Sequence, residues 1–309
     1  MSDLHIVTGA GPVGVTIAEQ LAAAGKQVRV LTRSGSGPEH PLVERRKIDV
    51  GNPGQLSGEF EGAAAVYHCA GASAYAAKAW RAELIPAQQA VLDEAGKTGT
   101  VVVCAENLYS YGRVDRPITE DMPRTADFGK PGVRTELVRA REAHATPTIS
   151  VGAADFVGPY VRNSLSGEQI FAPILAGKKA KALGRLDMPH SFTYIPDLAA
   201  AMIRAAADES LWNSFLHAPT APPVTQRELI DLIGQAAGVA EPQVLALSPW
   251  MLKTIGLISP AMRELAEMSY QGAAPFVLDS SASEQRLGLH PTPLDKAVAS
   301  TVDWWKTQA

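Results

Sequence analysis

Gly9, Gly11 and Gly14 are spaced as G-x-G-x-x-G between the apolar run Leu4-His5-Ile6-Val7-Thr8 and the segment Val15-Thr16-Ile17-Ala18-Glu19-Gln20-Leu21. A strand, a glycine turn and a helix in that order form a dinucleotide-binding turn. Gly9 allows the tight turn, Gly11 lets a pyrophosphate approach the backbone, and Gly14 lets the helix pack close to the strand. The unpaired N–H groups and dipole of the helix start favour a bound anion.

The next strand decides which nucleotide fits. Gln27–Thr32 reads as that strand, and it ends Thr32-Arg33-Ser34 with no Asp or Glu to accept from ribose hydroxyls. Arg33 can instead form charge-assisted bonds to a 2′-phosphate. The expected cofactor is therefore NADP(H) rather than NAD(H). A third strand runs from Val43 to Val50, with Asp49 and Val50 placed to meet the adenine. A fourth, Ala63–His68, runs into the small residues Cys69-Ala70-Gly71, which let a cofactor lie against the backbone. His68 reads as a packed strand residue. A helical stretch holding Tyr75 and Trp80 follows, and Pro86 is expected to open a second helix through Ala95.

Val101–Cys104 is the fifth strand, and the loop 105–112 after it should face the cofactor, because ligands of such sheets sit at the carboxyl ends of strands. Pro131 suits the first turn of the next helix, with Val133, Leu137 and Ala140 as its buried stripe. Thr148–Gly152 is a sixth strand. Strands alternating with helices predict an α/β, doubly wound parallel sheet over residues 1–155. Residues 156–309 read as a smaller, mostly helical substrate lobe roofing the cofactor crevice, with 190–208 packing back onto the first domain. The lobe carries a capping box at Thr225–Glu228 opening a helix to Gly238. Ser248-Pro249 and Ser259-Pro260 read as helix starts. A last helix presents Leu294, Val298, Val302 and Trp305 on one face. Phe156, Tyr160, Phe192, Trp250, Met251, Met268, Tyr270 and Phe276 give the roof an apolar character and hint at a small apolar substrate.

Composition narrows the function classes. The chain has 309 residues, 46% hydrophobic and 19% charged, with a net charge of −4. Neither nucleic acid nor an acidic membrane is an expected partner. The first residues lack the basic and apolar regions of a signal peptide, and no apolar run reaches bilayer length. A cytoplasmic protein is expected, with a homodimer left open. Cys69 and Cys104 have neither disulfide-framework nor metal-ligand spacing and read as free thiols.

This order of parts resembles the extended, in part atypical, short-chain dehydrogenase/reductase superfamily, in its NAD(P)-dependent epimerase/dehydratase branch. The residues that carry the resemblance are Thr8–Gly14, Asp49-Val50, His68–Gly71, Tyr109-Ser110-Tyr111-Gly112, Pro117–Asp121, Asp155–Pro159 and Phe192–Asp197. It implies a Rossmann fold and a cofactor set of Thr8, Gly9, Gly11, Pro12, Val13, Gly14, Asp49, Val50, Cys69, Ala70, Gly71 and Phe156, to which Arg33 is added by its own chemistry. The turn has one residue fewer between its first two glycines than the usual T-G-x-x-G-x-x-G.

The larger departure is chemical. The family uses a Ser or Thr shortly before V-Y-G and a Y-x-x-x-K helix. Here Asn107 stands at the Ser/Thr position, and the segment resembling Y-G-x-S-K reads Phe128-Gly129-Lys130-Pro131-Gly132. The lysine position aligns with Gly132, while Lys130 and Arg134 lie close by, either as anchors for the cofactor or a substrate anion or as a solvated helix start. Leu108 and Tyr109 replace the Asp-Glu pair of the nucleotide-sugar dehydratases, which argues against that mechanism. The candidates left for catalysis are Asn107, Tyr109, Tyr111 and Lys130: Tyr109 as proton donor, Asn107 as oxyanion donor, Lys130 as the cation that lowers the phenol, and Tyr111 as the motif tyrosine with a structural part. Three readings follow: an NADP(H)-dependent oxidoreductase or epimerase acting on a small carbonyl or hydroxyl compound; a non-redox isomerase, lyase or cyclase with a structural nucleotide; and a catalytically lapsed NADPH-binding protein.

Overall fold

The computed structural model describes residues 3–248, 250–251, 254, 257 and 259–308. Its centre is a seven-stranded sheet. The strands in chain order are β1 (Leu4–Thr8), β2 (Gln27–Thr32), β3 (Val43–Lys47), β4 (Ala63–His68), β5 (Val101–Asn107), β6 (Thr148–Ala153), β7 (Asp155–Val157), β8 (Ala180–Leu183), β9 (Pro189–His190), β10 (Phe192–Tyr194), β11 (Ser214–His217), β12 (Val224–Thr225) and β13 (Val244–Leu247). The sheet order is β11-β6-β5-β4-β1-β2-β3, and every pairing is parallel. Parallel strands covered on both faces read as continuous apolar runs; Ile6 and Val7, and Val101 to Val103, are fully buried on alternate faces.

Helices α1 (Pro12–Ala23) and α6 (Ile195–Ala206) share one face of the sheet. Val13, Ile17 and Leu21 meet Leu198 and Met202 over Val7, Val30 and Val103. Helix α3 (Ala77–Thr98), with the short α2 (Pro53–Leu56), covers the other face through Leu56, Val91 and Leu92 against Ile6, Val66 and Val102. Helix α4 (Gly129–Ala143) packs beside α3. The lobe has its own core, in which α5 (Glu168–Leu175), α7 (Gln226–Ala237) and the last helix (Leu294–Lys306) bury Phe171, Ile233, Val298 and Val302, with Trp305 stacked on Phe171.

Some expectations change in three dimensions. Pro86 lies inside one continuous helix rather than opening a second, because Trp80 and Leu84 before it and Ala87, Val91 and Leu92 after it are all buried along one face. β3 stops at Lys47, since Asp49 turns the chain by accepting from the Gly51 N–H through Oδ1 at 3.0 Å and the Asn52 N–H through its carbonyl at 2.9 Å. Ala140 faces outward, and Arg141 is buried in its stead. The seventh strand, β11, comes from beyond residue 155 and had no alternating pattern long enough to announce it. The capping box at Thr225 and the Ser259 cap both form, whereas Pro249 lies outside the described residues.

β1 and β4 are joined at their carboxyl ends by a bond between Thr8 Oγ1 and His68 Nδ1, 2.8 Å. Burial, with the Arg141 and Arg134 guanidiniums adding to it, pushes the His68 imidazole down to about 4. An unfolded histidine titrates near ~6.5. Between those values the unfolded state binds more protons, so this stability is complete above ~6.5 and is lost as the pH falls towards 4. The gap corresponds to roughly 3 kcal/mol. Denaturant titrations at pH 4.5 and 7 should show the wild type losing a few kcal/mol more than His68→Gln, which keeps a partner for Thr8; equal losses would contradict a neutral buried ring.

Candidate active site

A cleft of about 1750 Å³ opens along the carboxyl ends of the strands, between the sheet and the lobe. The glycine turn forms one end. Gly9 has φ +90°, and a Cβ there would lie 2.8 Å from the Cys69 carbonyl oxygen. At Gly14 a Cβ would lie 2.0 Å from the Gly9 carbonyl oxygen, so this glycine sets the approach of α1 to β1. Gly11 is different: nothing lies within 4 Å of the Cβ position, and the open space faces the cleft that Gly9, Ala10, Gly11, Pro12 and Val13 line. Two glycines are closed by the fold and one is open. That is the arrangement a pyrophosphate requires, and the residues present fit a dinucleotide.

Away from the turn, across β2 and β3, Arg33, Asp49 and Val50 line the adenosine end. Arg33 is exposed and reaches Glu83 of α3, Nη1 to Oε2 3.5 Å. Glu83 accepts from the Ser73 N–H at 2.9 Å and from the Ser73 hydroxyl, and these bonds hold its carboxyl below the usual carboxylate range. An acid thus stands near the ribose end after all, supplied by α3 rather than by β2. Cys69, Ala70, Gly71 and Phe156 also line the cleft. Burial pushes both thiols up, and both are free.

The other end lies beneath β5 and α4. Asn107 caps the 3-10 turn Leu108–Tyr111, its Oδ1 accepting from the Tyr109 N–H at 3.1 Å. Among the described residues its amide nitrogen donates to none. Tyr109 lies parallel to Trp80, ring centres 6.0 Å apart, and its hydroxyl meets that of Tyr75 at 2.9 Å. Burial, with Asp155 nearby, pushes the Tyr109 phenol up to about 12, opposed by the Tyr75 bond and by Arg134. Asp155, on the cleft wall, is paired with the buried His190, Oδ2 to Nε2 2.6 Å. Among the described residues no group of three or more His, Cys, Asp or Glu is placed to hold a metal ion, and no helix is long and apolar enough to cross a membrane.

Four expected residues lie elsewhere or serve another end. Lys130 is wholly buried and is not among the groups acting on Tyr109; its Nζ sits between Glu264 Oε2 at 2.5 Å and Glu267 Oε1 at 3.1 Å, 4.6 Å above the Tyr75 ring. It ties the helix Pro260–Glu267, which borders the cleft, to α4. Tyr111 is turned away from the cleft: its hydroxyl donates to His217 Nε2 at 3.1 Å, because His217 Nδ1 is committed to the Asp279 carbonyl, and it accepts from Arg124. Thr8 is fully buried against His68, and Gly14 acts through packing alone. Phe128, at the place of the family tyrosine, is exposed and edges onto Tyr270. At Gly132 a Cβ would lie 2.9 Å from the Asp127 carbonyl carbon, so no lysine fits this backbone. In the roof Phe156, Met268 and Phe276 line the cleft, while Trp250 is exposed to solvent. Tyr75, Trp80, Glu106 and Arg141 build the site without having been picked out as its builders. A glutamate inside the apolar strand Val101–Asn107 was the one available signal for this cluster.

The sequence model of the NAD dependent epimerase/dehydratase family matches residues 5–213. A curated relative, sterol demethylase protein B of Methylococcus capsulatus, is 23% identical, with 97% of this chain and 98% of that protein covered. Among solved structures, the Bordetella bronchiseptica enzyme WbmH in complex with NAD+ superposes with a TM-score of 0.76 at 22% identity, over 98% of each chain. The UDP-glucose 4-epimerase of Thermotoga maritima, solved with UDP-glucose, gives 0.79 at 16% identity over 99% of each. These likenesses place the fold.

The glycines offer a paired test. Gly11→Ala should fold with a melting temperature close to wild type and bind nicotinamide nucleotides at least tenfold more weakly. Gly14→Ala should lose several kcal/mol of stability, the scale of overpacking a closed contact. Equal nucleotide affinity in wild type and Gly11→Ala would contradict the assignment of the open side.

Proposed function

The chain belongs to the NAD dependent epimerase/dehydratase family, and we propose that within it the protein is an NADP(H)-dependent oxidoreductase or epimerase-like enzyme acting on a small, largely apolar carbonyl or hydroxyl compound. Tyr109 is its proton donor and Asn107 its oxyanion donor. The observation that carries this reading is Tyr109 itself, on the cleft wall after β5, with its hydroxyl bonded to Tyr75 and held in the protonated state.

Bound in the cleft, the nicotinamide supplies a carrier for hydride. The side chains supply the rest. A phenol with its pKa pushed up to about 12 keeps its proton at neutral pH and gives it to an alkoxide, a far stronger base. Asn107, its Oδ1 spent on the Tyr109 N–H, keeps its amide donor for the developing oxyanion; such donors contribute about 2.7–4 kcal/mol where they have been removed. With Phe128 and Gly132 at the family's tyrosine and lysine positions, these groups stand in for the absent pair.

The preference for NADP(H) rests on Arg33, with Ser34 and Ser36 beside it on the same wall. Its contact with Glu83 is long and exposed, worth little by itself, and a 2′-phosphate is a stronger partner for the guanidinium. Titration should show NADPH binding more tightly than NADH. Arg33→Ala should weaken NADPH by roughly tenfold or more, the loss of about 1.5–3 kcal/mol from one charge-assisted contact. Glu83→Gln should tighten it, and Arg33→Ala should not move NADH appreciably. Equal wild-type affinities for the two nucleotides would overturn this preference.

The acid is tested by turnover of small ketones and aldehydes with NADPH, at matched nucleotide occupancy. Tyr109→Phe should lose at least about a hundredfold in rate, the lower end of general-acid contributions, while still binding nucleotide. Tyr111→Phe should keep its rate and lose only about 1 kcal/mol of stability from the broken bond to His217. Normal turnover by Tyr109→Phe would remove it from the mechanism.

A further inference from the structure

Beneath Trp80 the cleft floor sets two guanidiniums against one carboxylate. Glu106, almost fully buried, is the shared counter-ion of two arginines: Arg141 Nη2 at 2.5 Å and Arg134 Nη1 at 3.2 Å. Arg141 is fully engaged, since its Nε also donates to Ser150 Oγ at 3.1 Å and its Nη1 to Gln88 Oε1 at 2.6 Å. Arg134 is not. Its Nε is buried with no hydrogen-bond partner, and the guanidinium is held against the face of Trp80, 4.8 Å from the ring centre. His68 lines the same floor as a neutral ring. Nearby, Asp155 is bonded to the buried His190, and Glu264 and Glu267 share the single cation of Lys130. One carboxylate thus faces two guanidiniums, and the surplus charge sits on the arginine that keeps an unmet donor.

Arg134 keeps 18% of its side chain exposed where it lines the cleft, and an anion that reaches it there gains a charge-assisted bond. The nucleotide's pyrophosphate is not that anion. It belongs at the glycine turn after β1, whereas Arg134 lies beside the end of β5, two strands or about 10 Å across the sheet. A single surplus charge matches a monoanion, while a phosphate dianion would leave the floor net negative. The planar fork of arginine is shaped for a carboxylate.

We propose that Arg134, steadied by Trp80 and Glu106, binds a carboxylate of the substrate, so that the compound handled here is an apolar carbonyl or hydroxy acid rather than a neutral one. This rests on the reading of the cleft as a nucleotide-and-substrate site, and it makes Arg134 the residue that sets specificity.

The test uses the full chain saturated with NADP(H), nucleotide binding being measured first and separately. Absence of nucleotide binding at that step would sink the broader reading without touching the charge argument. Calorimetric titration then compares cyclohexanecarboxylate with its neutral isostere cyclohexanecarboxamide. The wild type should bind the acid at least tenfold more tightly, and the advantage should shrink with added salt. Arg134→Gln should abolish the advantage while its nucleotide Kd stays within twofold of wild type. Arg134→Lys, which keeps the charge without the fork, should retain part of it. No preference for the acid in the wild type overturns the proposal, whatever the variants do. So does an Arg134→Gln variant that loses nucleotide affinity in step with the acid, which would make Arg134 a cofactor residue. Inorganic phosphate displacing the acid at equal concentration would overturn the choice of a carboxylate.

Discussion

The close approach of α1 to β1 at the glycine turn is the contact on which the architecture depends. With the Gly14 Cβ position 2.0 Å from the Gly9 carbonyl oxygen, any side chain there would push the helix off the sheet. That helix carries Val13, Ile17 and Leu21 into the core and is the surface on which α6 packs. The same turn leaves Gly11 open on the cleft side. Packing and access to the cleft are therefore set by one short stretch of backbone, and the cleft runs from there towards β2 and β3 on one side and β4 and β5 on the other.

At the reacting end the side chains are redistributed relative to the family pattern. The backbone at Gly132 has no room for a lysine, and Lys130, two residues earlier, is consumed by Glu264 and Glu267 as an anchor for the helix bordering the cleft. The cation that faces Tyr109 is Arg134 instead, one helical turn further along. Tyr109 lies on the turn after β5, where Trp80 stacks against it and Tyr75 bonds it. The lobe adds the apolar residues Phe156, Met268 and Phe276 to the cleft wall, with Arg162, Glu168 and Glu264 beside them.

Much of this was legible before any coordinates. Strands alternating with helices, the glycine spacing and the capping box at Thr225 each have a local cause, and each forms as written. β11 was not legible, since four residues between a turn and a loop carry no period that distinguishes them. Pro86 misled because a proline reads locally as a helix start, while tertiary burial on both sides of it keeps α3 continuous. In the site, Tyr109 and Asn107 could be placed by counting from Gly112. Lys130 could not, because its partners Glu264 and Glu267 are more than 130 residues away. Glu83 was missed for the same reason, since it reaches Arg33 only through the fold.

A nicotinamide dinucleotide held in the cleft beside Tyr109 and Trp80 would be seen by titrating the wild-type protein with NADPH while following tryptophan emission, with calorimetry in parallel for stoichiometry. One nucleotide per chain is expected, with a quenching component that disappears in Trp80→Phe. Absence of binding by NADPH and NADH alike, at concentrations up to about 1 mM, the upper end of the range over which enzymes meet their substrates, would contradict it.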